Sequence, residues 1–205
     1  MAALALAMYG VMFLVVFVLR TVMQKRSTGD SGIRAGVLGA APGSLEWVAG
    51  WLLVLALLAG LAAPIAELAG LDPLVDRQWV RVVGAVIAGV GIGLTFLAQT
   101  NMGSEWRIGI DTTEETGLVT DGAFDLVRNP IFSAMIVSAV GLAVMVANPI
   151  AILGAVALVI AIELQVRFVE EPHLRRLHGD AYLSYASQVG RFVPGIGRDP
   201  VNARG

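Results

Sequence analysis

The longest uncharged stretch of this 205-residue chain occupies the 34 positions 129–162, between Arg128 and Glu163. As a single helix rising ~1.5 Å per residue it would reach about 50 Å, well past the ~30 Å hydrocarbon core of a bilayer. It must therefore fold back. Asn148-Pro149 stands near its middle, and proline lacks an N–H donor and biases the residue before it away from helix. The stretch reads as two short helices joined by a tight turn. Three further uncharged runs, before Arg20, between Glu46 and Glu67 and between Arg81 and Glu105, are each long enough for one crossing. The predicted spans are Leu4 to Val22, Leu45 to Glu67, Trp79 to Gln99, Ile131 to Ala147 and Pro149 to Arg167. With 57% hydrophobic against 15% charged residues, far from the balance of a soluble domain, the expected fold class is all-α, a polytopic membrane protein of about five transmembrane helices.

Arg20, Lys25 and Arg26 follow the first apolar run rather than precede it, which is the order of a retained helix and not of a cleaved secretory signal. Because Lys and Arg collect on cytosolic flanks, the N-terminus is expected outside and the C-terminus in the cytosol. That arrangement puts 12 of the 14 Lys and Arg residues inside and leaves only Arg77 and Arg81 outside. Trp47, Trp51, Trp79 and Trp106 all fall near predicted helix ends, where an indole suits the headgroup region. The expected location is a bacterial plasma membrane, with the functional face toward the cytosol.

The net charge of -2 is segregated by compartment, so it points to no nucleic-acid partner. Zero cysteines exclude disulfides and thiolate chemistry, and two histidines are too few for a histidine-rich metal site. In the third span, Ala85, Gly89 and Gly93 repeat every four residues. That places small residues on one face for close helix packing and leaves a homodimer open. Residues 27–44 read as a flexible glycine-rich loop. The chain is taken as one membrane domain over 1–205: helices one to three in 1–100, a functional half in 101–195 and a flexible tail in 196–205.

Chemistry concentrates where the third span ends. Thr120-Asp121-Gly122 is a turn signal, after which Arg128 and Asn129 stand at the mouth of the fourth helix with Pro130 in its first turn. The same residues serve equally well as an interfacial anchor and a helix start. At the end of the fifth helix, Glu163, Arg167 and Glu171 follow at i, i+4 and i+8, one stripe on one helical face, with Glu170 beside them. Pro172 is expected to break the helix there. Pro172 to His178 and Asp180 to Gln188, each followed by a glycine, read as two short helices capping the mouth. These features describe a cytosol-facing cavity between the fourth and fifth helices, with Arg128, Asn129 and Arg167 as donors and Glu170 and Glu171 as acceptors. It suits a ligand carrying a carboxylate, an amine and hydroxyls.

The segments GLVTDGAFDLVRNPIF, ANPIAI and RFVEEPHLRRLHGDAYLSYASQVGRFVPG, in this order and spacing, resemble the isoprenylcysteine carboxyl methyltransferase family over the stretch from Met102 to Gly195. The resemblance implies a multi-helix membrane core that binds S-adenosyl-L-methionine on its cytosolic side beneath the C-terminal segments. It implies that Thr116, Gly117, Leu118, Val119, Phe124, Asn129, Pro130 and Phe132 line the cofactor pocket, that Glu170 and Glu171 hold its polar groups, and that Arg167 faces the reacting end of the substrate. Arg128 and Asn129 complete the implied catalytic set. Tyr182, Tyr185 and Arg191 match the family's tail pattern and read first as lid packing. The family's Arg-His-Pro followed by Tyr is here Arg128-Asn129-Pro130 followed by Phe132; asparagine hydrogen-bonds but does not titrate near neutral pH. The leading expectation is methyl transfer to a lipophilic small molecule drawn from the membrane lipids, an isoprenoid or prenylcysteine-like carboxylate. Two other classes remain: an NAD(P)H-dependent reductase of the sterol-reductase type, and a non-catalytic lipid-binding protein.

Overall fold

A computed structural model describes residues 1–33, 40–107 and 117–200. Its long elements are all helices: α1 (Ala2–Thr28), α2 (Leu45–Leu68), α3 (Gln78–Asn101), α4 (Pro130–Val146), α5 (Pro149–Gln165) and α6 (Glu171–Gln188). Each of the five predicted spans coincides with α1 to α5 to within a few residues, apart from a longer overhang where α1 continues to Thr28. By length and composition α1, α2, α3 and the helix that begins at Pro149 suffice to cross a membrane, whereas α4, with 17 residues, is a shorter apolar helix. Large apolar side chains such as Leu58, Leu97 and Leu153 stand exposed on the outside of the bundle, the pattern of a protein solvated by lipid rather than water.

The hairpin in the 34-residue run forms where the sequence places it. Ala147 takes a left-handed conformation at φ 51° and ends α4. Buried Asn148 then works in two directions: its Oδ1 accepts from Ala151 N at 2.9 Å and caps α5, while its Nδ2 donates to the Ala63 carbonyl of α2 at 2.9 Å. At the same end of the bundle, Arg81 is buried against the Glu67 carboxylate, with Asp76 at 3.2 Å and the Met145 carbonyl at 3.1 Å.

Small residues do bring helices together, but not the predicted ones. The α3 face against α4 is Gly84, Ala88 and Gly91; a Cβ on Gly84 would lie 2.5 Å from Met145 N, one on Gly91 2.5 Å from Ser138 N, and one on Gly141 2.2 Å from Ala88 N. Gly89 and Gly93 are exposed instead. Both sets share helical spacing, and only the partner helix decides between adjacent faces. Trp106 also departs from expectation. It is buried, not at a headgroup surface, because the Arg20 guanidinium stacks on its ring at 5.0 Å while Arg20 itself donates to the Gln99 and Gly103 carbonyls.

Pro172 does not break the chain. It lies just after Val166–Glu170, a π turn that carries α5 into α6 and locally changes the hydrogen-bond pattern where the proline N–H is missing. The change of direction comes later, at Gly179, whose φ 50° and ψ -125° suit only glycine and divide α6 into the two predicted short helices.

Candidate functional site

The lower wall of the site is assembled from two distant pieces of chain. After Asp121 the backbone turns at Gly122, φ 63°, into a 3₁₀ turn over Gly122–Asp125 that buries Phe124. The next residues lie beside the segment that follows α6: Val127 pairs with Gly190, Arg128 N donates to the Gly190 carbonyl at 2.8 Å, and Asn129 N donates to the Arg191 carbonyl at 3.1 Å. Side chains repeat the tie. Asn129 Nδ2 donates to Arg191 O at 3.2 Å, Ser133 Oγ to Phe192 O at 2.8 Å, and Tyr185 Oη to Phe124 O at 2.7 Å. The start of α4 is thus held by the segment that follows α6. Gly190 permits it, since a Cβ there would stand 2.2 Å from Val193 O.

Behind this ladder lies a buried charge cluster. Glu171 accepts from Arg128 at 2.6 Å and from Arg191 through two bonds of 2.7 and 2.8 Å, with the Arg128 and Glu171 side chains 1% and 5% exposed. The bonds to Glu171 hold the Arg191 guanidinium above its ordinary value. Arg128 also donates to the Ala186 and Val189 carbonyls at 3.0 and 2.7 Å, which satisfies the C-terminal end of α6. Asp199 closes the outer side, pairing with Arg175 at 2.6 Å.

Above the ladder is a cavity of about 280 Å³. Phe17 of α1, Leu53 of α2, Ile131 and Met135 of α4 and Ile162 of α5 give it an apolar interior, while Glu105, Arg128, Asn129, Gln165, Glu170 and His173 gather at its mouth. The Gln165 Oε1 atom is buried there with no hydrogen-bond partner. The wall is therefore amphipathic: aromatic and aliphatic on one side, with donors and acceptors of both signs on the other.

Of the residues singled out from sequence, Phe124, Arg128, Asn129, Pro130, Phe132 and Glu170 line this cavity. Gly117, Leu118, Val119, Arg167 and Glu171 do not, and Thr116 lies outside the described residues. Gly117 N is held by the Glu105 carboxylate at 2.9 Å. Arg167 is half exposed and pairs with Glu163 one turn earlier, so those two keep their predicted neighbourhood while Glu171 leaves the stripe. The π turn between them contains an extra residue per turn and rotates everything after it. Gln99, Met102, Glu105, Trp106, Arg107, Gln165 and His173 line the cavity without having been singled out as site residues. Glu105 and Trp106 sit in the polar break after the third span and could have been marked by position; Gln165 could have been marked as a polar side chain between Glu163 and Arg167.

The phospholipid methyltransferase family model matches residues 79–181, which include most of α3, all of α4 and α5 and the mouth of the cavity. Protein-S-isoprenylcysteine O-methyltransferases A and B of Arabidopsis thaliana are 30% and 29% identical over 142 residues, 68% of this chain and 72% of theirs. A probable protein-S-isoprenylcysteine O-methyltransferase of Oryza sativa subsp. indica is 32% identical over 130 residues, 62% of this chain and 68% of its own. Among solved structures, the eukaryotic intramembrane Ras methyltransferase ICMT (isoprenylcysteine carboxyl methyltransferase) has the same fold, with a TM-score of 0.57 at 19% identity over 90% of this chain. The chain spans 63% of the length of that structure.

Proposed function

The chain belongs to the phospholipid methyltransferase family, among the isoprenylcysteine carboxyl methyltransferases, and on that premise we propose that it transfers a methyl group from S-adenosyl-L-methionine to a lipophilic carboxylate in the cavity between α4 and α5. The observation that carries the reading is the amphipathic cavity itself, whose mouth falls within the matched residues 79–181.

The residues at the mouth fit the cofactor. Phe124 and Phe132 offer ring faces for an adenine. Glu170 and the unpartnered Gln165 Oε1 offer acceptors for ribose hydroxyls or an ammonium group. When bound, S-adenosyl-L-methionine supplies the electrophilic methyl group of a sulfonium. The chain's own work is placement. The start of α6 helps to cover the mouth, and the apolar interior receives the lipid part of the acceptor so that its polar end stays at the mouth. A carboxylate acceptor is already ionised at neutral pH, so no residue has to remove a proton, and a non-titrating Asn129 is compatible with the reaction. What such an in-line displacement requires is orientation.

Arg128 and Glu171 serve this reading as positioning residues, because their charges are consumed in fixing the tail. Arg167 is proposed to orient the acceptor's carboxylate through paired hydrogen bonds, which requires its guanidinium to exchange Glu163 for the substrate. The cytosolic placement of the site rests on charge: the cavity opens at the end of the bundle that holds Arg20, Arg107, Arg128 and the α6 arginines.

Calorimetry on detergent-purified protein tests the cofactor. We expect S-adenosylmethionine and S-adenosylhomocysteine to bind, and Glu170→Ala to weaken both about tenfold, the loss of one hydrogen bond. Binding of neither would end the reading. Labelled S-adenosylmethionine incubated with native membrane lipids then identifies the acceptor from the product.

A further inference from the structure

A second, smaller cavity of about 50 Å³ lies deeper in the bundle, lined by residues of α1, α2, α4 and α5. Its walls are small and apolar, Ala56, Ala63, Ala139, Ala143 and Gly154 among them, and the one hydroxyl on its surface, Tyr9 Oη, is already engaged in a 2.6 Å bond to the Leu57 carbonyl. Along α1 it extends from Met12 to Ala5, ~10 Å of helix rise away from the first cavity. Nothing polar could be held there.

Met135 lines both cavities. It packs in one buried cluster with Met12, which faces the deeper cavity, and Val16, which faces the outer one. Two methionine side chains and Val16 therefore stand between the two spaces. Unbranched thioethers rearrange at low cost, unlike β-branched Val16. Shape, polarity and the movable divider all fit a single flexible hydrocarbon chain.

We propose that the deeper cavity receives the distal end of the substrate's hydrocarbon tail, and that Met135, swinging aside with Met12, sets how long a tail is accepted. The tail then runs inward along the bundle axis, with its methyl-accepting end left at the mouth. This deepens the methyl-transfer reading and rests on it for the identity of the polar end.

The test uses N-acetyl-S-farnesylcysteine carrying a photoreactive diazirine on its terminal isoprene, bound to the detergent-purified full chain. The expected crosslinks fall on the inward positions Ala139, Ala143 and Gly154. Crosslinks confined to the lipid-facing Val137, Val140 and Leu153, or none at all, overturn the proposal. Ala139→Leu should fill the space and weaken binding of the farnesyl probe about tenfold, while Met135→Ala should shift preference from farnesyl toward geranylgeranyl by a similar factor. Because the crosslink is read on unaltered protein, a poorly folding variant leaves the test intact. No change in tail preference on opening the divider at Met135 would overturn its assigned part. Cofactor calorimetry separates the two readings. A chain that binds S-adenosylmethionine but crosslinks only outward loses the tail site alone, and one that crosslinks inward without binding cofactor loses the methyltransferase reading alone.

Discussion

Two adjacent carboxylates, at the end of the π segment and the start of α6, have opposite circumstances. Glu170 faces the cavity, while Glu171 is enclosed by Arg128 and Arg191. Removing one partner of a buried ion pair leaves the others uncompensated, typically at ~3 to 5 kcal/mol. Glu171→Ala should therefore cost the folded protein about that much, read as a large drop in thermal midpoint in detergent, with cofactor binding lost along with the fold. Glu170→Ala should leave the midpoint nearly unchanged. Arg167 is a third case. Its pair with Glu163 is half exposed, so Arg167→Ala should shift stability by less than ~1 kcal/mol. If Arg167 orients the acceptor, turnover falls while cofactor affinity holds; unchanged turnover would remove it from the reaction.

At the level of elements, the α3–α4 contact depends on glycines facing backbone. Gly141→Val should separate the two helices and abolish folded, monodisperse protein, whereas Gly89→Val, on an exposed position, should be tolerated; size-exclusion profiles in detergent distinguish them. The sequence carried the five apolar helices because length without charge is a strong local signal, and it carried the Asn148-Pro149 turn because proline and a capping amide act locally. It could not separate Gly84, Ala88 and Gly91 from Ala85, Gly89 and Gly93, since small residues occupy both faces and only a partner helix chooses. Nor could it show the π turn at Val166–Glu170, which has no composition signature and which moved Glu171 off the stripe. Arg128, Asn129 and Glu170 were legible as cavity residues because each is a polar group beside an apolar span, whereas Phe124 and Phe132 were legible only through the family resemblance. Gln99, Gln165 and His173 reach the cavity from three separate helices, and their meeting is a tertiary fact.

Over the whole molecule, the positive residues gather at the end of the bundle where the cavity opens, and the Arg81–Glu67–Asp76 cluster marks the other end. A C-terminal reporter that functions only in the cytosol should be active when fused after this chain, and one fused after Leu71 should be inactive. The reverse pattern would invert the proposed orientation and with it the side from which a water-soluble cofactor arrives.

The ladder between Val127–Asn129 and Gly190–Arg191 also has a meaning in time. A ribosome making this chain delivers the start of α4 some sixty residues before its pairing segment. The buried partners of Arg128 also come late: Glu171 follows it by 43 residues and Ala186 by 58. The bundle can assemble helix by helix as it emerges, but the mouth is finished last and in one step. A chain truncated before Gly190 should insert its apolar helices and lack the ladder that holds the start of α4.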